Sequence, residues 1–521
     1  MNFYFLVTGL SVVLIPLSVT GSQSLMALSL IIGVFLYFRT LASRSPQILD
    51  PTSSDPIDHR NISWIQSLVR KWVFEKTGPG AGFASTLGWL LFIWLLLVYL
   101  IRSAQFFASE ASLFDPRPYH NELTDFFLFL FAALAFYQFQ RIYPGARKDR
   151  QFESRSPANA IYLVVTAFSI IVVLSGIGAV FSEIRLSKLF TGYGADFHAG
   201  NRPQFLFRTV GDLQLYRPIG FMNTRLSYAG ILLFAQAVLL HRFWRSLKIH
   251  WPGRQPAGDS GENQNIHRAR QTVKRVGFTS IWAFLWLSGL ILLLMNGSRS
   301  GQIGTLISQL IIVFYIFREK FSLIRQRMTG PGTSLAIISG ILILGGAYIY
   351  FLDFGTHRHT DYMRPLIWKG SLSIFLEHPL LGVGPGNFTD WFHEWIQAFY
   401  LEHPRTMYFL EITPDSHAHN DLLHLLVLGG IPAGLLFLTL IYHSTKSLIA
   451  AMNFSENPES RNLVDLEVAM RSTAPAFFVA GLSQCYFQDD EVVVVFWFFL
   501  MAAEALRFVR RTQRARETAS I

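Results

Sequence analysis

Apolar residues along this chain come in long runs separated by short polar stretches. Runs of about 17–22 residues are long enough to cross about 30 Å of hydrocarbon as helices. The pattern predicts about twelve spans, near residues 3–20, 22–38, 86–101, 124–140, 160–181, 226–241, 278–295, 301–317, 334–351, 421–442, 472–487 and 491–508. The stretch WIQSLVRKWVF at 64–74 differs. Its Ile65, Leu68, Val69, Trp72 and Val73 recur at helical spacing, which predicts a helix lying on a membrane surface. The polar stretch 253–266 reads as a loose loop.

Composition supports the same picture. The chain has 521 residues, 51% of them hydrophobic and 15% charged, with 47 Phe and 12 Trp; a soluble domain carries about 25% charged residues. The expected fold class is therefore all-α, a polytopic membrane protein. The net charge of +10 raises the question of nucleic acid, and its distribution answers it. The basic stretches HRFWRSLKIHWPGR and HRARQTVKR (within 242–277), FREKFSLIRQR (after 317), RIYPGARKDRQFESR (141–155) and RFVRRTQRAR in the tail all fall on one side of a twelve-span chain. The positive-inside rule makes that side the cytoplasm. Both termini then lie there, and no nucleic-acid partner is needed. The first basic residue is Arg39, so the chain's start reads as a span rather than a cleaved leader. A single cysteine, Cys485, excludes an internal disulfide and a cysteine-built zinc site.

The polar residues that need a chemical reason fall on the opposite face. Two sizeable loops lie there, about 182–225 and 352–420, with a tight turn NGSRSG at 296–301. Arg217 precedes the sixth span, Arg299 lies in the turn, Arg364 lies in the long loop, and His417 and His419 end that loop. Guanidinium forks suit phosphate oxygens, because two parallel charge-assisted hydrogen bonds form at once. A helix N-terminus adds N–H donors for an anion, and Asn420 is placed to cap one. A pyrophosphate-bearing lipid therefore fits Arg217 and Arg299. His419 fits a neutral base for an attacking hydroxyl, since histidine has an unperturbed pKa of about 6.5. Blander readings compete: an arginine that snorkels, a histidine that caps a helix, or a His-x-His metal pair completed by Asp415, His403 or His393. GVGPG at 382–386 follows no predicted strand and reads as a tight turn.

Two motifs carry a family resemblance. HPLLGVGPGNF (378–388), followed by HAHNDLLHLLVLGGIPAGLL (417–436), resembles the bacterial O-antigen ligase and polymerase superfamily, as does NGSRSG after an apolar span. In the ligases His-Asn is followed by nine residues and Gly-x-x-Gly; here His419-Asn420 and nine residues precede Gly430, and the last glycine falls one place late, at Gly434. The resemblance implies about twelve membrane helices with a large periplasmic loop between spans nine and ten. It implies transfer of a glycan from undecaprenyl diphosphate to lipid A core, to a second lipid-linked glycan (a polymerase) or to a protein (an O-linked oligosaccharyltransferase). The implied location is the bacterial inner membrane with a periplasmic active face, and no metal or nucleotide is implied. Arg217 and Arg299 take the positions of the family's arginines and His419 that of its histidine. Arg364 occupies a place where members often carry arginine, and His417 has no clear counterpart.

The chain then divides into N-terminal membrane helices with the surface segment (1–181), a catalytic core including the 352–420 loop (182–442), and C-terminal helices with a basic tail (443–521). Catalytic roles are expected for His419, Arg217 and Arg299, and substrate contacts for Arg364, Asn420 and His417. Trp391, Trp395 and Tyr400 are expected to offer aromatic surface to sugars or to the membrane boundary. A rival reading is a transporter of lipid-linked glycan. It is disfavoured because the spans carry almost no charge at mid-length.

Overall fold

The computed structural model describes residues 2–17, 19–43, 83–108, 123, 125–145, 157–186, 204–222, 224–250, 262–327, 359–404, 416–454 and 461–520. The expected span at 334–351 and the surface helix at 64–74 lie outside them. The described helices are α1 (Asn2–Leu14), α2 (Val19–Ser43), α3 (Phe83–Ala108), α4 (Asp125–Gly145), α5 (Pro157–Val180), α6 (Arg225–His250), α7 (Glu262–Asn296), α8 (Arg299–Arg327), α9 (His359–Glu377), α10 (Phe388–Glu402), α11 (Asp421–Met452), α12 (Arg461–Gly481) and α13 (Asp490–Ser520). Among the described residues seven helices are long and apolar enough to cross a membrane, within α3, α5, α6, α7, α8, α11 and α13. The protein is a multi-pass membrane protein.

One departure from the all-α expectation is an antiparallel hairpin, β1 (Leu206–Val210) and β2 (Leu213–Tyr216). Val210 pairs with Leu213 across a two-residue Gly211-Asp212 turn, with Gly211 at φ 61°. A Gly-Asp pair between short apolar runs is a hairpin signal.

Helices α6 and α13 form the centre. Ala229 to Val238 and Val492 to Leu506 are buried nearly all round, as expected of helices apolar on every face. Close helix approach relies on small residues. Gly301 of α8 leaves no room for a side chain against Ala229 of α6, where a Cβ would sit 2.7 Å from the alanine methyl.

The expected span at 472–487 is displaced: α12 runs from Arg461 to Gly481, and 482–489 is a loop. Charged residues of α12 that lie before the expected start are paired inside the bundle. Arg471 donates to Glu467 at 2.9 Å and to Glu504 at 2.8 Å, and Arg510 reaches Glu467 at 3.1 Å. Asp465 accepts from the Tyr315 hydroxyl at 2.8 Å. Buried charges persist when each has a partner.

The described residues 359–404 of the expected long loop are folded. Helices α9 and α10 share a small apolar core of Met363, Ile367, Ile374, Phe388, Phe392, Ile396 and Tyr400, closed by Ala418, Val427 and Leu428 at the start of α11. Phe388, Phe392, Ile396 and Tyr400 recur every four residues and give α10 one buried face. Tyr400 therefore does not present the free aromatic surface expected of it. Trp391 meets His378 edge-on, and Trp395 stacks between Phe392 and Phe399.

The two sequence motifs meet at a break in α11. Gly430 is non-helical, at φ 66°. The Ile431 N–H turns away from the helix and donates to Pro379 O at 2.8 Å. Pro432 has no N–H to give. The carbonyls left open, Val427 and Leu428, accept from Val383 N at 2.8 Å and Gly384 N at 3.0 Å. PLLGVG thus replaces the hydrogen bonds that GGIP gives up. The approach is so close that a Cβ on Gly382 would lie 2.4 Å from Val427 O, and one on Gly430 would lie 2.2 Å from Leu380 O. GVGPG is the tight turn expected, with Gly382, Gly384 and Gly386 all at positive φ. From the side, α3 adds Trp94 Nε1 to Gly429 O at 2.7 Å and Arg102 Nε to Gly382 O at 3.0 Å.

Candidate functional site

In NGSRSG the asparagine, the first glycine and both serines have structural tasks. Asn296 Nδ2 donates to Pro218 O at 2.7 Å and to Arg225 O at 3.0 Å, so it latches the segment that follows Arg217. Gly297 ends α7 in the left-handed region, at φ 69°. Ser298 starts α8, accepting from Gly301 N through its hydroxyl at 3.4 Å. Ser300 Oγ lies 2.9 Å from the Tyr486 hydroxyl. Arg299, half-buried, is the turn's charged side chain and the first residue of α8. Arg217 is also half-buried, and its N–H closes the hairpin base onto Phe205 O at 2.8 Å.

The loop 482–489 ties the separate segments together. Tyr486 holds the Arg299 turn through Ser300. Asp489 Oδ2 accepts from Ser227 at 2.6 Å, at the start of α6 and ten residues after Arg217. Asp421 Oδ1 accepts from Phe487 N at 2.8 Å, and Asn420 Nδ2 donates to Leu482 O at 3.1 Å. Asp421 packs against Gly481 so tightly that a Cβ there would lie 2.2 Å from its Oδ2. The ends of α6, α7, α8, α11, α12 and α13 therefore gather around one loop. Sequence reasoning missed Asp421, Tyr486 and Asp489. The available signal was the QDDE run (488–491) at the foot of an apolar span.

Asn420 caps α11, its side chain accepting from Leu423 N at 3.0 Å. With both ends of its amide engaged, it fixes the residue before it. His419 is the one non-glycine residue at positive φ among those described, at 49°. Such a conformation costs energy and persists where the surroundings over-determine it, often at functional positions. The His417 and His419 rings lie 4.2 Å apart. Burial, then the neighbouring His419, His424 and Arg364, push His417 well below the usual histidine range. Arg364 on α9 is thus close enough for its charge to act on this pair. Burial, with the Asp490 charge adding to it, raises Asp489 to about 6.

The structure brings His417, His419 and Arg364 into one electrostatic neighbourhood. The hydrogen bonds through 482–489 bring the Arg217 segment and the Arg299 turn to the helix that starts after His419. Two of the alternative metal partners have other contacts: His393 bonds Gln397, and His403 stacks on Phe399. Asp415 lies outside the described residues.

Residues 283–438 match the family described as O-Antigen ligase. The match supports the O-antigen ligase superfamily for this segment of the chain. The matched segment holds Arg299, Arg364, His417, His419 and Asn420, and both halves of the PLLGVG–GGIP junction. It supports a ligase- or polymerase-type function in O-antigen biosynthesis. No curated protein matches the chain. Arg217 and the loop 482–489 lie outside the matched segment; Pro218, next to Arg217, and the loop are hydrogen-bonded to it.

Proposed function

We propose that this O-antigen ligase superfamily member transfers a glycan from undecaprenyl diphosphate to an acceptor hydroxyl, at the periplasmic face of the bacterial inner membrane. His419 takes the hydroxyl proton. The oxygen bonds to the anomeric carbon as the bond to the diphosphate breaks, and that electron pair leaves with the diphosphate oxygen. Arg217 and Arg299, assisted by Arg364, meet the growing negative charge, an interaction that strengthens in the transition state. One such displacement inverts the anomeric carbon. Diphosphate activation falls to guanidiniums, so the reading needs no metal. Lipid A core is the favoured acceptor, because the His-Asn and glycine spacing nearly matches the ligases. A second lipid-linked glycan or a protein hydroxyl is the alternative.

The observation that carries this reading is the hub at 482–489. It bonds the segments bearing Arg217 and Arg299 to the helix preceded by the strained His419. The buried Glu467–Arg471–Glu504–Arg510 network brings back the transporter reading, since ionisable groups inside a bundle often mark a transport path. It contains two acids and two arginines, so it is charge-balanced and reads as a clamp between α12 and α13. The test offers purified protein a synthetic undecaprenyl-diphosphate glycan, with lipid A core, a second lipid-linked glycan or a Ser/Thr peptide, in EDTA. Transfer to one acceptor, lost in His419→Asn and Arg299→Ala, supports the reading and names the acceptor. Tight carrier binding without transfer to any acceptor favours the transporter, and loss of transfer on chelation overturns the metal-free scheme.

A further inference from the structure

We propose that His417 is a positioning residue for His419, its Nε2 accepting the N–H of one His419 nitrogen so that the other nitrogen turns its lone pair to the acceptor hydroxyl. The inference rests on reading His419 as the base. His417 Nδ1 lies 2.8 Å from Ser416 Oγ, so an Nδ1–H there has a partner. The Nε2 that remains is buried and has no hydrogen-bond partner among the described residues. An orphaned buried acceptor is costly, and the ring facing it is His419, with centroids 4.2 Å apart and planes inclined at 58°. The backbone of the partner is held. His419 is fixed at φ 49° ahead of Asn420, whose amide is engaged at both ends.

The surroundings suit a neutral acceptor. His419 in the same turn, His424 from α11 and Arg364 from α9 are the groups whose charges act on His417. Burial, and then His419, His424 and Arg364, push it well below the usual histidine range, which favours an available Nε2 lone pair. A carboxylate in this place would orient His419 and also raise its proton affinity. A neutral imidazole orients it and leaves it deprotonated near neutral pH, the state a general base needs. During transfer the acceptor proton stays on His419, and the hydrogen bond to His417 strengthens as His419 gains charge.

The test compares transfer kinetics and pH profiles of wild type, His417→Leu, His417→Gln and His419→Asn, each checked for thermal stability and binding of the lipid-linked glycan. Glutamine carries an acceptor oxygen near the Nε2 position. His417→Leu is expected to lower kcat about 10–100-fold, within the range a positioned base supplies, with KM for the carrier nearly unchanged. Its acid limb should move to lower pH, because the imidazolium loses its acceptor. His417→Gln should recover most of kcat. Equal kcat in the Leu and Gln variants, or an effect confined to KM, overturns the positioning role. If His419→Asn is inactive and His417→Leu keeps full kcat with an unmoved acid limb, this inference fails alone. If His419→Asn retains transfer, the base assignment fails with it.

Discussion

Replacing Gly430 by alanine tests the junction that seats the α9–α10 pair on α11. The new methyl has two costs. A left-handed backbone is unfavourable for an L-residue by about 1–2 kcal/mol. The Cβ would also lie 2.2 Å from Leu380 O and 2.4 Å from Leu380 C, both backbone atoms that cannot rotate away. Relief requires moving PLLGVG off the helix, which breaks Ile431 N→Pro379 O, Val383 N→Val427 O and Gly384 N→Leu428 O. At about 1 kcal/mol net for each of three bonds, the total reaches roughly 4–5 kcal/mol. Gly434→Ala is the control. It lies in regular helix, and its Cβ would meet the far end of the Leu426 side chain at 2.5 Å, which can turn aside. Helix propensity gains of up to about 1 kcal/mol offset that crowding. Unfolding in detergent, followed by tryptophan fluorescence against added SDS, should show a large loss for Gly430→Ala and almost none for Gly434→Ala. Transfer activity should follow the same order, because the junction joins α11 to the segment that follows α9, the helix carrying Arg364. Equal stability and activity in the two variants would refute the argument from backbone contact.

Three further outcomes are expected. Asn296→Leu removes the donor to Pro218 O and Arg225 O, costing about 2–4 kcal/mol with two buried acceptors left open, and should weaken carrier binding in a direct assay because the Arg217 segment comes loose. Arg299→Lys should keep the fold and lose at least about tenfold in transfer rate, since an ammonium cannot match a bidentate fork; an unchanged rate would remove Arg299 from the charge-stabilising role. Asp489 is raised to about 6, against about 3.9 unfolded, so the folded state holds this proton more tightly. Its contribution to stability is present below about pH 4 and lost as pH rises towards 6. The Tm of Asp489→Asn minus that of wild type should therefore increase from pH 4.5 to 7, and a flat difference would count against the burial of that carboxyl.

Seven of the expected spans, those within α3, α5, α6, α7, α8, α11 and α13, were legible because a lipid environment leaves little ambiguity in a run of apolar residues. Their ends were less so. The pattern starts the eleventh span at 472, because Asp465, Glu467 and Arg471 look like loop residues, and only three-dimensional pairing with Glu504, Arg510 and Tyr315 shows otherwise. The site arginines and histidines stood out as cations and imidazoles at span boundaries. Asp421, Tyr486 and Asp489 did not, because what they do is hold backbone and hydroxyl groups of segments far away in sequence. The docking of PLLGVG on GGIP was equally hidden. Glycines in both motifs were visible, but the reason for them is mutual, and neither motif explains its own glycines alone.

The turns around the site divide their labour in a way that makes the functional assignments sharper. In NGSRSG the asparagine, both serines and both glycines are accounted for by a latch, a cap, a tether, a left-handed helix end and a close helix crossing. In HAHND, Asn420 caps α11 and grips Leu482, Asp421 grips Phe487, and Ala418 fills the small core under α9 and α10. Arg299 in the first turn and the two histidines in the second bring a guanidinium and imidazoles to these turns. A guanidinium at a helix start and an imidazole in a strained backbone are expensive to hold in place for architecture alone. Small polar residues do the holding more cheaply throughout this site. The proposed part of the arginine and the histidines in the chemistry therefore rests on their residue types and on the strained backbone of His419, at φ 49°.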